Sequence, residues 1–278
     1  MKIFETQLEL LAYLSSIAEE KTIGFIPTMG CLHDGHLKLI QESQKICDVS
    51  VCSIFINPKQ FDNSNDFANY PRTLELDLQK LRELHLDIVY TPLVSDLYAK
   101  DEKVKQFNFG TLALTMEGRF RAGHFNGMAT IVEKLFNIIK PTKAFFGQKD
   151  LQQLQIVKEL AKQMNTSIEV VCMKTIREKN GLAKSSRNKL LSEKSKQDAS
   201  LIYECLQYCI KNKSIGINSL KKYITIQFHN HSNLELEYIE FVELQNMQPI
   251  KKWKRKGENA ICIAAHIGNV RLIDNIIL

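Results

Sequence analysis

Gly24–Ile40 reads "GFIPTMGCLHDGHLKLI", and its middle decides the fold. An apolar run closes at Pro27–Thr28, a glycine follows at position 30, and apolar residues resume at helical spacing from Gly35. A change of period across a glycine break is a strand, a turn and a helix start. That is the first βα junction of a doubly wound parallel sheet. In such sheets ligands lie outside the carboxyl ends of the strands, where helix N-termini present N–H groups and the positive end of the helix dipole. His33 and His36 flank this N-terminus, and each can offer an N–H to phosphate oxygens. Gly35 is expected to leave room there for a nucleotide.

H-x-G-H at such a junction points to nucleotidylyl transfer, the histidines stabilising charge that develops at an α-phosphate as pyrophosphate leaves. Zinc is the rival reading, but no third ligand stands at a recognisable spacing. Two structural histidines in a loop also remain open at this point.

Outward from the junction, strand-like and helix-like segments alternate. Strands are expected at 22–28, 49–57, 86–92, 143–148 and 167–173, with helices at 35–46, 70–85, 127–140 and 150–164. Alternation with short connectors predicts a parallel sheet with helices on both faces. Beyond about residue 175 the texture changes. Two helical stretches (193–212 and 217–229) precede β-like runs at 234–244 and 259–278, which predicts a small antiparallel sheet open to solvent on one side. The division is 1–175, a nucleotide-binding domain, and 176–278, a smaller C-terminal domain.

At 278 residues and 44% hydrophobic, the chain can bury one large core or two modest ones. No apolar run approaches bilayer length, and the N-terminus carries acids where a signal peptide needs an apolar core. Seven cysteines, odd in number and without a CxxC pair, read as buried thiols in a reducing compartment. A soluble cytoplasmic protein is expected. The formal charge of +6 suits an anionic substrate or nucleic acid, but "KKWKRKGE" (251–258) is short and reads as a solvated turn.

Other strand ends carry polar residues too. Asn57 and Gln60 follow the second strand, Lys149 and Asp150 open the helix after the strand at 143–148, and Gln153 lies one turn on. Three junctions are thereby expected to converge on one crevice. Asp150 also suits an N-cap. "KSSRN" (184–188) adds hydroxyls and positive charge suited to a triphosphate.

The blocks "PTMGCLHDGHLKLI", "FINPKQF", "YPRTLELD", "GRFRAGHFNGMATIV", "AFFGQKDLQQL", "REKNGLAKSSRNKLL" and "GNVRLIDN" occur in that order over nearly the whole chain. On them the chain resembles the pantothenate synthetase (pantoate–β-alanine ligase) family, within the wider H-x-G-H nucleotidylyltransferase-like superfamily. The resemblance implies a Rossmann-like α/β domain followed by a smaller α+β domain. It implies a ligase in which pantoate's carboxylate attacks the α-phosphate of ATP, and β-alanine's amine then attacks the enzyme-bound pantoyl adenylate. By the same resemblance Met29, Gly30, Cys31, Leu32, His33, Asp34, Gly35 and His36 line the ATP site, with His36 at the position of the family's catalytic acid. Gly147, Gln148, Lys149 and Asp150 take ribose and phosphate. Ile176 lies beside adenine, and Lys184, Ser185, Ser186 and Arg187 form a phosphate loop. Gln60 and Gln153 match the glutamines that hold pantoate, and Asp77 matches an acidic position near magnesium. Arg121 and His124 match a block lining the same crevice. His36, His33 and Lys149 are thus the catalytic candidates. Mg²⁺ with ATP, no tightly bound organic cofactor and a homodimer complete what is implied, with neither nucleic acid nor membrane as partner. Alternatives are a nucleotidyltransferase that stops after AMP transfer, and a nucleic-acid-binding module resembling a tRNA synthetase fragment.

Overall fold

The computed structural model describes residues 1–278. Six strands form an all-parallel sheet: β1 (Lys2–Phe4), β2 (Ile23–Thr28), β3 (Val49–Ile54), β4 (Ile88–Tyr90), β5 (Lys143–Gly147) and β6 (Glu169–Met173), in the order β1-β4-β3-β2-β5-β6. Three more, β7 (Leu234–Glu243), β8 (Asn259–Ile267) and β9 (Val270–Ile277), make an antiparallel sheet. The helices are α1 (Gln7–Leu14), α2 (Asp34–Ile46), α3 (Ser64–Ala68), α4 (Leu74–Glu83), α5 (Val94–Leu97), α6 (Glu117–Phe120), α7 (His124–Ile139), α8 (Leu151–Gln163), α9 (Glu193–Asp198), α10 (Ser200–Lys211) and α11 (Ile217–His229).

Two compact units result. The first comprises Met1–Phe109, Arg121–Gly147 and Ile156–Met173; the second comprises Gly110–Phe120, Gln148–Gln155 and Lys174–Leu278. Two segments upstream of residue 175 therefore group with the C-terminal part.

In the first unit the chain leaves β2 for β3 on one side and takes up β5 on the other. The strand order reverses between β2 and β5, the place where open α/β sheets bind ligands. Ile26 of β2 packs with Leu39 and Ile40 of α2 and Leu78 and Leu81 of α4. Its neighbour Phe25 faces the other way, edge-on to Phe136 of α7 at 6.3 Å. Helices cover both faces, so β2 has no solvent side and reads as an uninterrupted apolar run.

Some boundaries move for local reasons. The helix expected from residue 70 begins at Leu74, behind Thr73 as its N-cap with non-helical backbone (φ −138°). The helix expected from residue 127 starts at His124, behind Gly123 in the left-handed region (φ 76°). Strand β3 ends at Ile54, and a 3-10 turn at Pro58–Gln60 follows.

In the second unit Ile202 and Leu206 of α10 and Leu220, Ile224 and Phe228 of α11 pack on Phe241, Ile261 and Ile263. The expected open face is not open. Strand β8 is buried along nearly its whole length, and the side carrying Tyr238, Arg271 and Asn275 holds Glu117 and Gln148–Lys149. Polar residues that alternate with apolar ones are here partners in a buried ion pair and in hydrogen bonds. The run at 259–278 is two strands, with Gly268 (φ 56°) at the turn between them.

Candidate active site

The H-x-G-H junction caps its own helix. His33, extended at φ −129°, is the N-cap of α2. Its Nδ1 accepts from the Gly35 N–H at 3.1 Å, while its backbone N–H donates to His36 Nδ1 at 3.4 Å. The two rings stack with centroids 4.0 Å apart. An accepting Nδ1 in each neutral ring leaves the proton on Nε2, so both imidazoles point a donor away from the backbone. The reason for Gly35 differs from the expected one: a Cβ there would stand 2.8 Å from His33 Cε1. The glycine makes room for the histidine ring, before any nucleotide is considered.

Of the eight residues Met29–His36, Cys31 and Leu32 are wholly buried (0% exposed). Their N–H groups donate to Asp77, to Oδ2 from Cys31 and Oδ1 from Leu32, both at 2.7 Å. Asp77 is itself 0% exposed and also accepts from Thr73 Oγ1 at 3.1 Å. Three donors turn their positive ends toward the carboxylate, which is no setting for a cation. Asp77 does not fit the magnesium role implied by the resemblance. Lys80, one turn further along α4, donates to the Leu32 carbonyl at 2.5 Å; nothing in its local sequence singled it out.

Gln60 is buried at the 3-10 turn after β3, and the orientation of its amide follows from a chain of bonds. The Tyr98 hydroxyl donates to Asn57 Oδ1 at 2.8 Å, which turns Asn57 Nδ2 toward Gln60 Oε1 at 3.2 Å and Gly127 O at 3.0 Å. Gln60 accordingly points its amide nitrogen at Met29 Sδ, 2.9 Å away, beside the H-x-G-H turn. Burial pushes the Tyr98 hydroxyl pKa up, aided by the nearby Glu102 carboxylate, and keeps it a neutral donor. His124 Nδ1 donates to the Gln60 carbonyl at 2.8 Å, and Arg121 bonds His124 Nε2 at 3.1 Å. Arg121 and His124 thus support Gln60. Tyr98, in a stretch assigned to no element from sequence, went unnoticed.

In the second unit the 3-10 turn Gln148–Asp150 is held by β9. Asn275 Nδ2 donates to the carbonyls of Gln148 (2.9 Å) and Lys149 (2.7 Å), and Gln148 Nε2 returns a bond to Asn275 Oδ1 at 3.2 Å. Lys149 Nζ lies 3.6 Å from Asp150 Oδ1. Gln153 is half-buried in the first turn of α8. The next residue back on β9, Asp274, takes a two-pronged ion pair from Arg177 (2.5 and 3.0 Å). Burial raises its carboxyl pKa against the pull of that guanidinium. Arg177 stands beside Ile176, whose carbonyl accepts from the Lys184 N–H at 2.9 Å. Lys184 pairs with Glu178 at 3.2 Å, and Ser185 caps the 3-10 turn Ser186–Leu190, its Oγ accepting from the Arg187 N–H at 3.3 Å. Adjacent residues of β9 therefore organise both segments assigned to ATP. The block "GNVRLIDN" carried that signal without naming a role.

Trp253 is committed to packing: its ring meets Phe241 edge-on at 5.5 Å and its N–H donates to the Lys213 carbonyl. It offers no stacking platform for a base. No helix is long and apolar enough to cross a membrane.

A doubly wound parallel sheet with an H-x-G-H junction at the strand-order reversal defines a nucleotide-handling α/β protein. The chain belongs to the pantoate-beta-alanine ligase family, whose family model matches residues 2–277. It is an enzyme, an ATP-utilising ligase of pantothenate biosynthesis. Pantothenate synthetase of Flavobacterium psychrophilum is 44% identical over 283 residues, covering 100% of both chains. That of Azobacteroides pseudotrichonymphae is 42% identical over 99% of each. Among solved structures, pantothenate synthetase from Thermus thermophilus superposes with a TM-score of 0.93 at 32% identity over 99% of each chain. Pantoate-beta-alanine ligase from Francisella tularensis, complexed with β,γ ATP and β-alanine, gives 0.85 at 34% identity, covering 100% of this chain and 97% of its own.

Proposed function

We propose that the chain condenses pantoate with β-alanine through an enzyme-bound pantoyl adenylate. A pantoate carboxylate oxygen bonds to the α-phosphorus of ATP, and the bond to the pyrophosphate oxygen breaks. The β-alanine amine then attacks the acyl carbon, loses a proton and expels AMP. The observation carrying this reading is the pair of imidazoles whose Nδ1 atoms are tied to backbone N–H groups. Their Nε2 donors are thereby preorganised for oxyanion charge at the α-phosphate, which forms as pyrophosphate leaves. Stabilising that charge is the work assigned to His36.

In this reading the N-terminal domain, 1–175, binds pantoate and the reacting phosphate, and the smaller domain, 176–278, takes part in holding ATP. Gln60 offers an N–H to pantoate, and Gln153 a second amide. Amides orient hydroxyl and carboxylate oxygens without the charge pairing that would blunt the nucleophile. Lys149 and the Lys184–Arg187 turn supply positive charge for the phosphates, and Ile176 an apolar contact for adenine. Magnesium enters with ATP, bound chiefly by phosphate and water, as Mg²⁺ prefers; no step is assigned to it. The proposal includes a homodimer and a cytoplasmic location. Supporting the latter, all seven cysteines are free, as thiols are in a reducing compartment.

The test is exchange of labelled pyrophosphate into ATP with Mg²⁺ and pantoate, before any β-alanine is added. Folded protein without pantoate-dependent exchange would falsify the adenylate route. Lys149→Met is expected to slow that exchange by about 10²–10³, the usual cost of one charge-stabilising group, with KM for pantoate little changed. A loss under fivefold would remove Lys149 from the catalytic set. Tyr98→Phe releases Asn57 and lets the Gln60 amide flip. The expected result is a roughly tenfold lower kcat/KM for pantoate, about 1.4 kcal/mol, with KM for ATP unchanged. An equal rise in both KM values would show that Tyr98 supports the fold generally instead.

A further inference from the structure

We propose that Asp77 is the residue that positions the H-x-G-H turn, with α4 as its anchor. The inference rests on the reading of His33 and His36 given above.

Gly30 and Cys31 both stand in the left-handed region, with φ of 77° and 50°. The turn they make aims the successive N–H groups of Cys31 and Leu32 at one point, the arrangement of a concave anion site. In many proteins such a nest takes a phosphate; here the Asp77 carboxylate fills it. Each oxygen accepts one N–H at 2.7 Å, and the nest closes so tightly that a Cβ on Gly30 would stand 3.2 Å from Asp77 Oδ2. The Leu32 peptide is held at its other end by Lys80, three residues on from Asp77 and thus on the same side of α4. Leu32 directly precedes His33, so the two clamps set where the imidazole pair begins. Electrostatic stabilisation of a developing charge depends on donors fixed in advance, and a shift of 1 Å can cost about 100-fold in rate.

Asp77→Asn preserves the shape but opposes one backbone N–H with an amide N–H. The expected result is a roughly 100-fold slower pantoate-dependent pyrophosphate exchange, at unchanged half-saturating Mg²⁺. Amide hydrogen exchange should show protection lost at Cys31 and Leu32 and kept in β2 and β3. Lys80→Met, a half-buried position, should move the same quantities less, about tenfold in rate. It serves where the asparagine variant fails to fold. A tenfold higher Mg²⁺ requirement, with the rate restored at high Mg²⁺, would mean that Asp77 is a metal ligand and overturn the proposal. Unaltered protection at Cys31 and Leu32 in either variant would overturn it as well. If wild-type protein shows no pantoate-dependent exchange, the adenylate reading fails, while the protection measurement still judges the anchor.

Discussion

His36→Ala is expected to slow pantoate-dependent pyrophosphate exchange by about 10²–10³ while the protein stays folded. Two magnitudes decide this. Removing one preorganised donor from a developing oxyanion costs about 2.7–4 kcal/mol, or 10²–10³ in rate. What the fold loses is smaller. The half-buried ring accepts a long 3.4 Å bond from the His33 N–H and stacks on the His33 ring, worth together about 1 kcal/mol. Against a domain stability of about 5–15 kcal/mol that leaves a native protein. His33→Ala should cost more stability, because the Gly35 N–H loses its acceptor and a cavity opens beside the glycine. The measurement pairs the exchange assay with a thermal melt of each variant. If His36→Ala melts far below wild type, the histidine holds the turn together and its catalytic role falls.

The strand, turn and helix of Gly24–Ile40 were legible because their signals are local: an apolar run, a glycine, a new period. The parallel sheet followed from the same local alternation. Strand β1 was not legible, since Lys2–Phe4 is too short for any period to register. Asp77 could be noticed as an acid in a recognisable block, but its partners Cys31 and Leu32 lie 46 and 45 residues upstream. Resemblance alone supplied a metal role, whereas the bonds Asp77 makes are to two backbone N–H groups and a hydroxyl. Gly35 could be read as a need for space, though not as space for His33. The covered face of the antiparallel sheet was invisible for a similar reason. Glu117 opens α6, a helix of four residues that is too short for a period to register, and its partner Arg271 comes 154 residues later. Alternation of polar and apolar residues looks the same whether the polar side meets water or a buried counter-ion.

That covered face leads to the largest stability effect expected in the chain. The Arg271 guanidinium donates to both Glu117 oxygens at 2.7 Å and to Glu237 through Nε and Nη2, at 2.5–3.2 Å. Tyr238 adds a hydroxyl to Glu117 at 2.8 Å, and His266 Nε2 lies 3.0 Å from Glu237 Oε1. The three charged side chains are 19%, 9% and 15% exposed, so water screens them little. Burial works to lower the arginine's pKa, but the bonds to Glu117 and Glu237 outweigh it and hold the group charged. Arg271→Met would leave two neighbouring carboxylates without their cation. Breaking a buried pair from one side costs about 3–5 kcal/mol, a large fraction of the roughly 5–15 kcal/mol that holds a typical domain together. Arg271→Lys should recover only part of this, because an ammonium cannot fork to two carboxylates. Trp253, the single tryptophan, packs in the second unit and reports its unfolding by fluorescence. An unfolding free energy from urea titration of Arg271→Met within about 1 kcal/mol of wild type would show that the network contributes specificity without stability. The expected large shift, together with faster proteolysis in Gly110–Phe120, would identify this ion pair as what secures that segment to the antiparallel sheet.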